Sequence, residues 1–367
     1  MDRGVAAVPA LGCADTRESG TAIAASARLT RTAEEIDTQL DIMGDLRLEG
    51  GDGPENVASS LPTGYTYRQR KMNPVVRTRY SCDYGSCVPT SSSGRVTVSV
   101  SVERFAALHH ASHPLLLPNA WDAASAALLQ ELGAHAVATS SAAVAWSLGY
   151  ADGGMLPTAE LLASVTRLMR VMKVPLTVDL ENGYSNDPEA VAALVQGLVE
   201  RGVAGINLED GTDAPSILKE KLDAIRQRVA PDRLFINART DVFLRGLAPP
   251  NHKIIMTLRR AKLYEASGAD GLFVPGVQTC VDVMEISKGT TLALNVMALP
   301  SLPSTADLFA AGMRRLSLGA APFAAAYGVA RDVVRPFLGT GSMDGLFPAG
   351  RLDYGAMNAL ITSSTQP

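Results

Sequence analysis

No stretch of this chain approaches the roughly 18–20 consecutive apolar residues that a membrane-spanning helix requires. The N-terminus has no signal-peptide apolar core either. Ala10-Leu11-Gly12-Cys13 has the letters of a lipoprotein cleavage site without the stretch that should precede it. Cysteine is scarce. Cys82 and Cys87 are spaced like half a metal knuckle, but Cys13 and Cys280 supply no second pair at zinc spacing, so reduced thiols in a cytoplasmic protein are the expectation. Neither sign of charge is in large excess: the net charge is −4 over 367 residues, so the electrostatic footprint of a nucleic-acid binder is missing. Aromatic residues make up only 5% of the chain, yet a hydrophobic content of 47% gives ample core for one large domain or two small ones.

Residues 1–95 mix Gly, Ser, Thr and Pro with scattered charge, and only Ala33–Leu48 has helical spacing. Such an extension is expected to be low in complexity, poorly ordered and non-catalytic. Ordinary domain sequence begins near Val96, where the natural start of the protein is expected. From there apolar, strand-like runs occur at Leu115–Asn119, Ala134–Ser140, Val174–Leu180, Ala204–Leu208, Leu234–Ala238, Gly271–Val274, Leu292–Val296 and Arg315–Leu318. Helical patterns separate them, from Ala123–Leu132 to Pro322–Phe337, and several close on glycine: Gly133, Gly202, Gly268 and Gly312. Eight strands alternating with eight helices predict a (β/α)8 barrel over residues 96–340, with 341–367 as a C-terminal tail. The competing doubly wound sheet needs a glycine-rich loop after its first strand, and Pro118–Ser125, PNAWDAAS, contains no glycine.

In a barrel the functional groups belong at the C-terminal ends of the strands. Strand two ends in Thr139-Ser140-Ser141, strand three in Asp179 and Glu181, strand four in Glu209-Asp210, strand five in Arg239-Thr240-Asp241 and strand seven in Asn295. Asp122 and Asp210 are read as helix caps. Acids gathered on one face repel unless a cation lies among them, and oxygen donors without His or Cys nearby select Mg²⁺ or Mn²⁺ over zinc. An acid cluster neutralised by Arg239 alone is the alternative. Arg239 offers a fork of donors for a carboxylate or an enolate oxygen, and Ser141 with the following amides offers an anion-binding turn. Together these describe a site for a small α-oxo acid whose reactive species is an enolate.

Five motifs in order, TSSAAVAWSLGYADG, VDLENGY, INLEDG, INARTD and LALNVMALP, resemble the isocitrate lyase/phosphoenolpyruvate mutase superfamily over about residues 100–340. The resemblance implies a Mg²⁺-dependent barrel that makes or breaks C–C or P–C bonds beside a pyruvate-like unit. It also implies a homo-oligomer, tetramer or dimer, with the last barrel helix exchanged between subunits. Position by position, Asp179 is similar to the direct metal ligand, and Asp152, Glu181 and Glu209 to the acids that hold the metal's waters. Ser141, Ala142 and Ala143 resemble the turn that binds the substrate carboxylate, Arg239 the arginine facing the enolate oxygen, and Asn295 a substrate-binding position.

The departures matter as much. Glu209–Pro215, EDGTDAP, lacks the Lys-Lys-Cys-Gly-His-type gating loop of isocitrate and methylisocitrate lyases. Strand six ends Phe273-Val274-Pro275-Gly276, without the His of the phosphonomutases or the Glu of the lyases. Thr139 stands where many members have an aromatic residue, and Ala142 where they have glycine. The chain is thus closest to the phosphonomutase-like branch that includes oxaloacetate decarboxylases. A lyase acting on a small α-oxo or α-hydroxy carboxylate is the first expectation, with Tyr184 or His252 as proton donor and the Arg245–Lys253 loop as a lid or a solvated connection. P–C bond chemistry is the second, and a non-catalytic oxo-acid-binding paralogue the third. Ala298–Pro303 has no glycine-rich phosphate turn, so a nucleotide or flavin enzyme is not expected.

Overall fold

The computed structural model describes residues 94–365, with the backbone alone for 94–100. The helix expected at Ala33–Leu48, the low-complexity reading of residues 1–93, and Cys13, Cys82 and Cys87 lie outside the described residues.

Helix α1, Gly94–Leu108, leads into β1, Leu115–Leu117, and β2, Asn119–Ala120. There follow α2 (Ala123–Glu131), β3 (Val137–Thr139), α3 (Ser141–Ser147), α4 (Thr158–Met169), β4 (Leu176–Asp179) and α5 (Pro188–Glu200). Next come β5 (Gly205–Glu209), α6 (Pro215–Arg228), β6 (Phe235–Arg239), α7 (Lys253–Ala266), β7 (Gly271–Phe273) and α8 (Cys280–Lys288). The order closes with β8 (Ala293–Met297), α9 (Thr305–Ala310), β9 (Arg315–Ser317), α10 (Ala321–Thr340) and α11 (Tyr354–Thr365).

All nine strands are parallel, in the order β1-β9-β8-β7-β6-β5-β4-β3-β2. The first and last members of that order are consecutive in the chain, so the sheet curls into a nearly closed barrel. The single first strand expected at Leu115–Asn119 is thereby divided. Pro118 has no N–H to give a ladder, and only its carbonyl takes part, accepting from Ala138 N at 2.9 Å.

Alternate residues face opposite sides of the sheet. One set (Val178, Ile206, Leu208, Ile236, Ala238, Leu272, Val296) packs beneath the helices in the main core. The other set points into the barrel, where Leu115, Leu117, Ala138, Ala204, Phe235 and Ala293 gather round Phe105 of α1. Phe105 is fully buried, and a Cβ on Gly205 would meet its ring at 2.7 Å, so glycine there is the space that lets α1 plug the bottom of the barrel. His109 stacks on Phe235 at 4.2 Å, and burial, aided by Arg315, pushes its pKa down to about 3, leaving it a neutral packing group.

The local signals act as chemistry requires. Asp122 caps α2 in a reciprocal box with Ser125, and Gly133, Gly202, Gly268 and Gly312 all take positive φ where their helices end. Three helices carried weak signals. The VTVSVSV run of α1 is β-branched, α3 has only seven residues, and α11 falls in the expected tail, where Leu360 packs on the core and Lys173 Nζ donates to Ser363 O at 2.8 Å.

Candidate active site

The C-terminal ends of β3 to β6 bring their polar residues to one mouth of the barrel. Ser140 caps α3, and Ser141 follows as its first residue. Ser141 does not stand free: its backbone N and its Oγ both donate to Asp179 Oδ2, at 3.1 and 2.8 Å. Thr139 Oγ1 accepts from Asp179 N at 2.9 Å, so the strand end carrying this carboxylate is fixed from its β3 side. Ala142 is half-buried beside Ser141, and Ala143 N donates to Ser140 Oγ at 3.4 Å.

Behind Asp179 the chain makes a strained turn. Glu181 has φ 49° and Tyr184 φ 58°, a left-handed conformation that disfavours residues with a Cβ by roughly 1–2 kcal/mol each. The turn is over-determined by contacts: Glu209 N donates to Glu181 O, and the buried Lys221 ammonium donates to Asn182 O at 2.7 Å. Its product is a buried Glu181 whose Oε2 accepts from Gly154 N, while Oε1 has no partner among the described residues. Burial first, and then the Asp152 carboxylate, raise the Glu181 pKa above the ordinary carboxylate range. Asp152 itself is exposed, on the loop between α3 and α4. Tyr184 is raised by burial and by the carboxylates of Glu181 and Asp179, so its hydroxyl keeps its proton.

Arg239, at the end of β6, lies opposite Glu209 in the ladder register. Its Nη1 meets Glu209 Oε2 at 2.6 Å, while Nε and Nη2 engage both oxygens of the fully buried Asp241 at 2.7 and 3.1 Å. Arg245 adds a bond from Nε to Asp241 Oδ2 at 2.8 Å. Three of the five N–H groups of Arg239 are therefore committed, leaving two for a ligand. Burial pushes the Glu209 carboxyl up to about 8; Arg239 opposes that rise, and Asp179 and Asp241 reinforce it. A further cation at the cluster would reverse it.

Five acids (Asp152, Asp179, Glu181, Glu209 and Asp241) thus share the mouth with two guanidinium groups. Among the described residues no three His, Cys, Asp or Glu side chains stand close enough to hold an ion together. The orphaned Glu181 Oε1 and the all-oxygen donor set fit a hydrated hard cation, bound directly by few carboxylates and otherwise through water. A cleft of about 210 Å³ opens here, lined by Gly153, Gly154, Glu181, Glu209, Asp213 and Arg245.

Other residues sit differently from the sequence expectation. Asp210 does not cap α6, whose N-cap is Ala214; it is buried, accepting from Tyr264 Oη at 2.6 Å and from Asp241 N at 3.0 Å, and paired with Arg260. His252 lies exposed on a 3₁₀ turn, against Asn251. Asn295 is fully buried within the barrel, where Ser317 Oγ donates to its Oδ1 at 2.9 Å. Sequence reading missed Arg245 and the fully buried Arg315. The only signal for the second was a charge at the head of a strand.

A family model described as phosphoenolpyruvate phosphomutase matches residues 105–338. An uncharacterized protein of Mycobacterium tuberculosis is 34% identical over 233 residues, 62% of this chain and 86% of its own. An oxaloacetate decarboxylase of Bradyrhizobium diazoefficiens is 30% identical over 196 residues, 51% of this chain and 67% of that one. Among solved structures, one from Burkholderia cenocepacia J2315, provisionally described as a phosphonomutase, has 36% identity and a TM-score of 0.61 over 64% of this chain and 99% of that one. A phosphonopyruvate hydrolase solved with oxalate and Mg²⁺ shares the fold, at 19% identity and a TM-score of 0.63, over 72% of this chain and 95% of that one.

Proposed function

This chain belongs to the phosphoenolpyruvate phosphomutase family, within the PEP mutase/isocitrate lyase superfamily, and on that premise we propose that it is a Mg²⁺-dependent lyase that cleaves a small α-oxo dicarboxylate of the oxaloacetate type. The observation that carries this reading is the acid-rich mouth with one arginine, Arg239, clamped between Glu209 and Asp241. In this reading Asp179 would hold the ion directly, and Asp152, Glu181 and Glu209 would hold its waters. When bound, the ion supplies positive charge to oxygens that gain electrons during cleavage.

The chain's own residues account for the rest. Ser141 with the amides of Ala142 and Ala143 holds the carboxylate next to the oxo group. That requires Ser141 to exchange its bonds to Asp179, and Ala143 N its bond to Ser140 Oγ, for bonds to substrate. The two uncommitted N–H groups of Arg239 face the oxo oxygen. As the bond to the distal carboxylate breaks, CO₂ leaves and its electron pair moves through the neighbouring carbon onto that oxygen, giving the enolate of pyruvate. Arg239 is fixed by Asp241 and Glu209 before the charge develops, so little reorganisation is needed. Tyr184, held protonated beside Glu181, then donates to the carbon.

Relatives bearing the names oxaloacetate decarboxylase and phosphonomutase support two outcomes of one enolate-forming site. Oxaloacetate, methylisocitrate, isocitrate and phosphonopyruvate, each assayed for product with and without Mg²⁺, distinguish them. Pyruvate from oxaloacetate alone is expected. A new C–P resonance in ³¹P NMR on adding phosphoenolpyruvate would place the protein with the mutases instead.

An oligomer completes the proposal. Only Phe323 of the twenty residues of α10 is buried, and Tyr327, Val329, Phe337 and Leu338 are open to solvent. An apolar groove of about 690 Å³ lies over β1 and β9, lined by Leu115, Leu116, Leu129, Leu132 and Leu316. Exchange of α10 between subunits would cover such surface. A monomeric mass by light scattering would end this part of the proposal.

A further inference from the structure

Among the described residues Arg315 is the largest fully buried side chain, and no carboxylate of those residues forms an ion pair with it. Removing a guanidinium from water without a counter-charge is destabilising by several kcal/mol. Its setting shows what that arrangement achieves. β9 places Arg315 beside Asn295 of β8 in the ladder register, and both side chains are fully buried, in the barrel just below the acid cluster. Asp179 is the carboxylate whose field reaches Arg315.

The bonds then run in one direction. Arg315 has donors only. Its Nη2 donates to Asn207 Oδ1 at 3.1 Å, an oxygen that also accepts from Asn237 Nδ2 at 2.9 Å. Its Nε donates to Ser317 Oγ at 3.3 Å. The hydroxyl of Ser317, which accepts from Arg315, donates in turn to Asn295 Oδ1 at 2.9 Å. Of the two ends of the Asn295 amide only the oxygen can take that bond, so the NH₂ group is turned the other way. Among the described residues neither Asn295 Nδ2 nor Arg315 Nη1 has an acceptor. Two buried donors lacking acceptors, in neighbouring strands below the site, call for a guest rich in acceptor oxygens.

We infer that Arg315 is a positioning residue for carboxylate recognition: through Ser317 it locks the Asn295 amide with its NH₂ group free, and Asn295 presents that donor to a carboxylate of the substrate from inside the barrel. The inference rests on the oxo-acid reading of the site above. Arg315 touches no reacting atom. It sets which face of Asn295 the substrate meets.

Two variants test this, with oxalate as the probe in calorimetry at saturating Mg²⁺. Arg315→Met removes an unpaired buried charge and leaves Asn207 its bond from Asn237, so the melting temperature should hold or rise. The dissociation constant for oxalate should nonetheless weaken by tenfold or more. Ser317→Ala keeps the charge, cuts the relay, and should weaken oxalate by about tenfold while affecting KM for oxaloacetate more than kcat. Should Arg315→Met fail to fold, Ser317→Ala decides alone. Unchanged oxalate binding in either folded variant overturns the inference, as does a loss of binding in Arg315→Met that follows a fall in melting temperature. Wild-type protein that binds no oxalate overturns the site reading together with it, so the two failures are distinguishable.

Discussion

Replacing Asp241 by Asn tests whether the arginine clamp is built as described. Asp241 is fully buried and holds Arg239 through two bonds at 2.7 and 3.1 Å and Arg245 through one at 2.8 Å. Asn keeps the shape but removes the charge, and turns an NH₂ group toward guanidinium donors. Breaking one side of a buried ion pair destabilises by roughly 3–5 kcal/mol. Arg239 keeps Glu209 at 2.6 Å, and its side chain is 15% exposed, which places this case at the lower end, about 3 kcal/mol. A guanidinium displaced by an ångström should also lower kcat/KM by roughly 100-fold. Urea denaturation gives the first quantity and pyruvate release from oxaloacetate the second. Arg245→Ala is the internal control: its side chain is 48% exposed, so screening by water should hold its effect on stability to about 1 kcal/mol or less. A loss below about 1 kcal/mol in Asp241→Asn, with normal turnover, would refute the clamp.

The pH dependence of metal binding follows from the raised carboxyls. The Glu209 pKa is pushed up to about 8 from 4.5 and Glu181 is shifted the same way, so the folded, metal-free protein holds protons that the unfolded chain releases. The stability that Glu209 contributes in this way is full below about 4.5 and is lost as pH rises through about 8, and Glu181 acts in the same direction. Mg²⁺ favours the ionised forms, so a fixed concentration should raise the melting temperature more at pH 9 than at pH 6. An equal shift at both would contradict the assignment of Glu209 and Glu181. For the proton donor, Tyr184→Phe should lower kcat by roughly tenfold to 100-fold, in the lower range typical of general acids. His252→Ala should leave it unchanged, because that ring faces solvent. The reverse pattern would move the donor to the loop.

Much of this architecture is written in the local chemistry of the chain. The strand runs, the glycines that end helices and the polar strand ends are each encoded within about ten residues, and together they define a barrel with polar residues gathered at one mouth. What depends on distant partners is not encoded in that way. Asp210 looks like a cap because its neighbours in sequence look like a helix start, whereas its partners Tyr264 and Arg260 come from α7. Arg315 is only the first residue of the strand-like run Arg315–Leu318 until the register sets it beside Asn295 inside the barrel. The left-handed turn at Glu181 is invisible for another reason: nothing about a glutamate announces positive φ, and the conformation is imposed by Lys221 and β5. The roles proposed for these residues, which spacing alone leaves open, come from the resemblance in five motifs.

The most direct measurement is pyruvate release from oxaloacetate by protein stripped with EDTA, then resupplied with Mg²⁺, in wild type and in Asp179→Asn. Turnover should vanish on stripping and return with Mg²⁺ in the wild type, and should not return in Asp179→Asn. Turnover that survives stripping, or full activity in Asp179→Asn, would contradict a metal-dependent site built on Asp179.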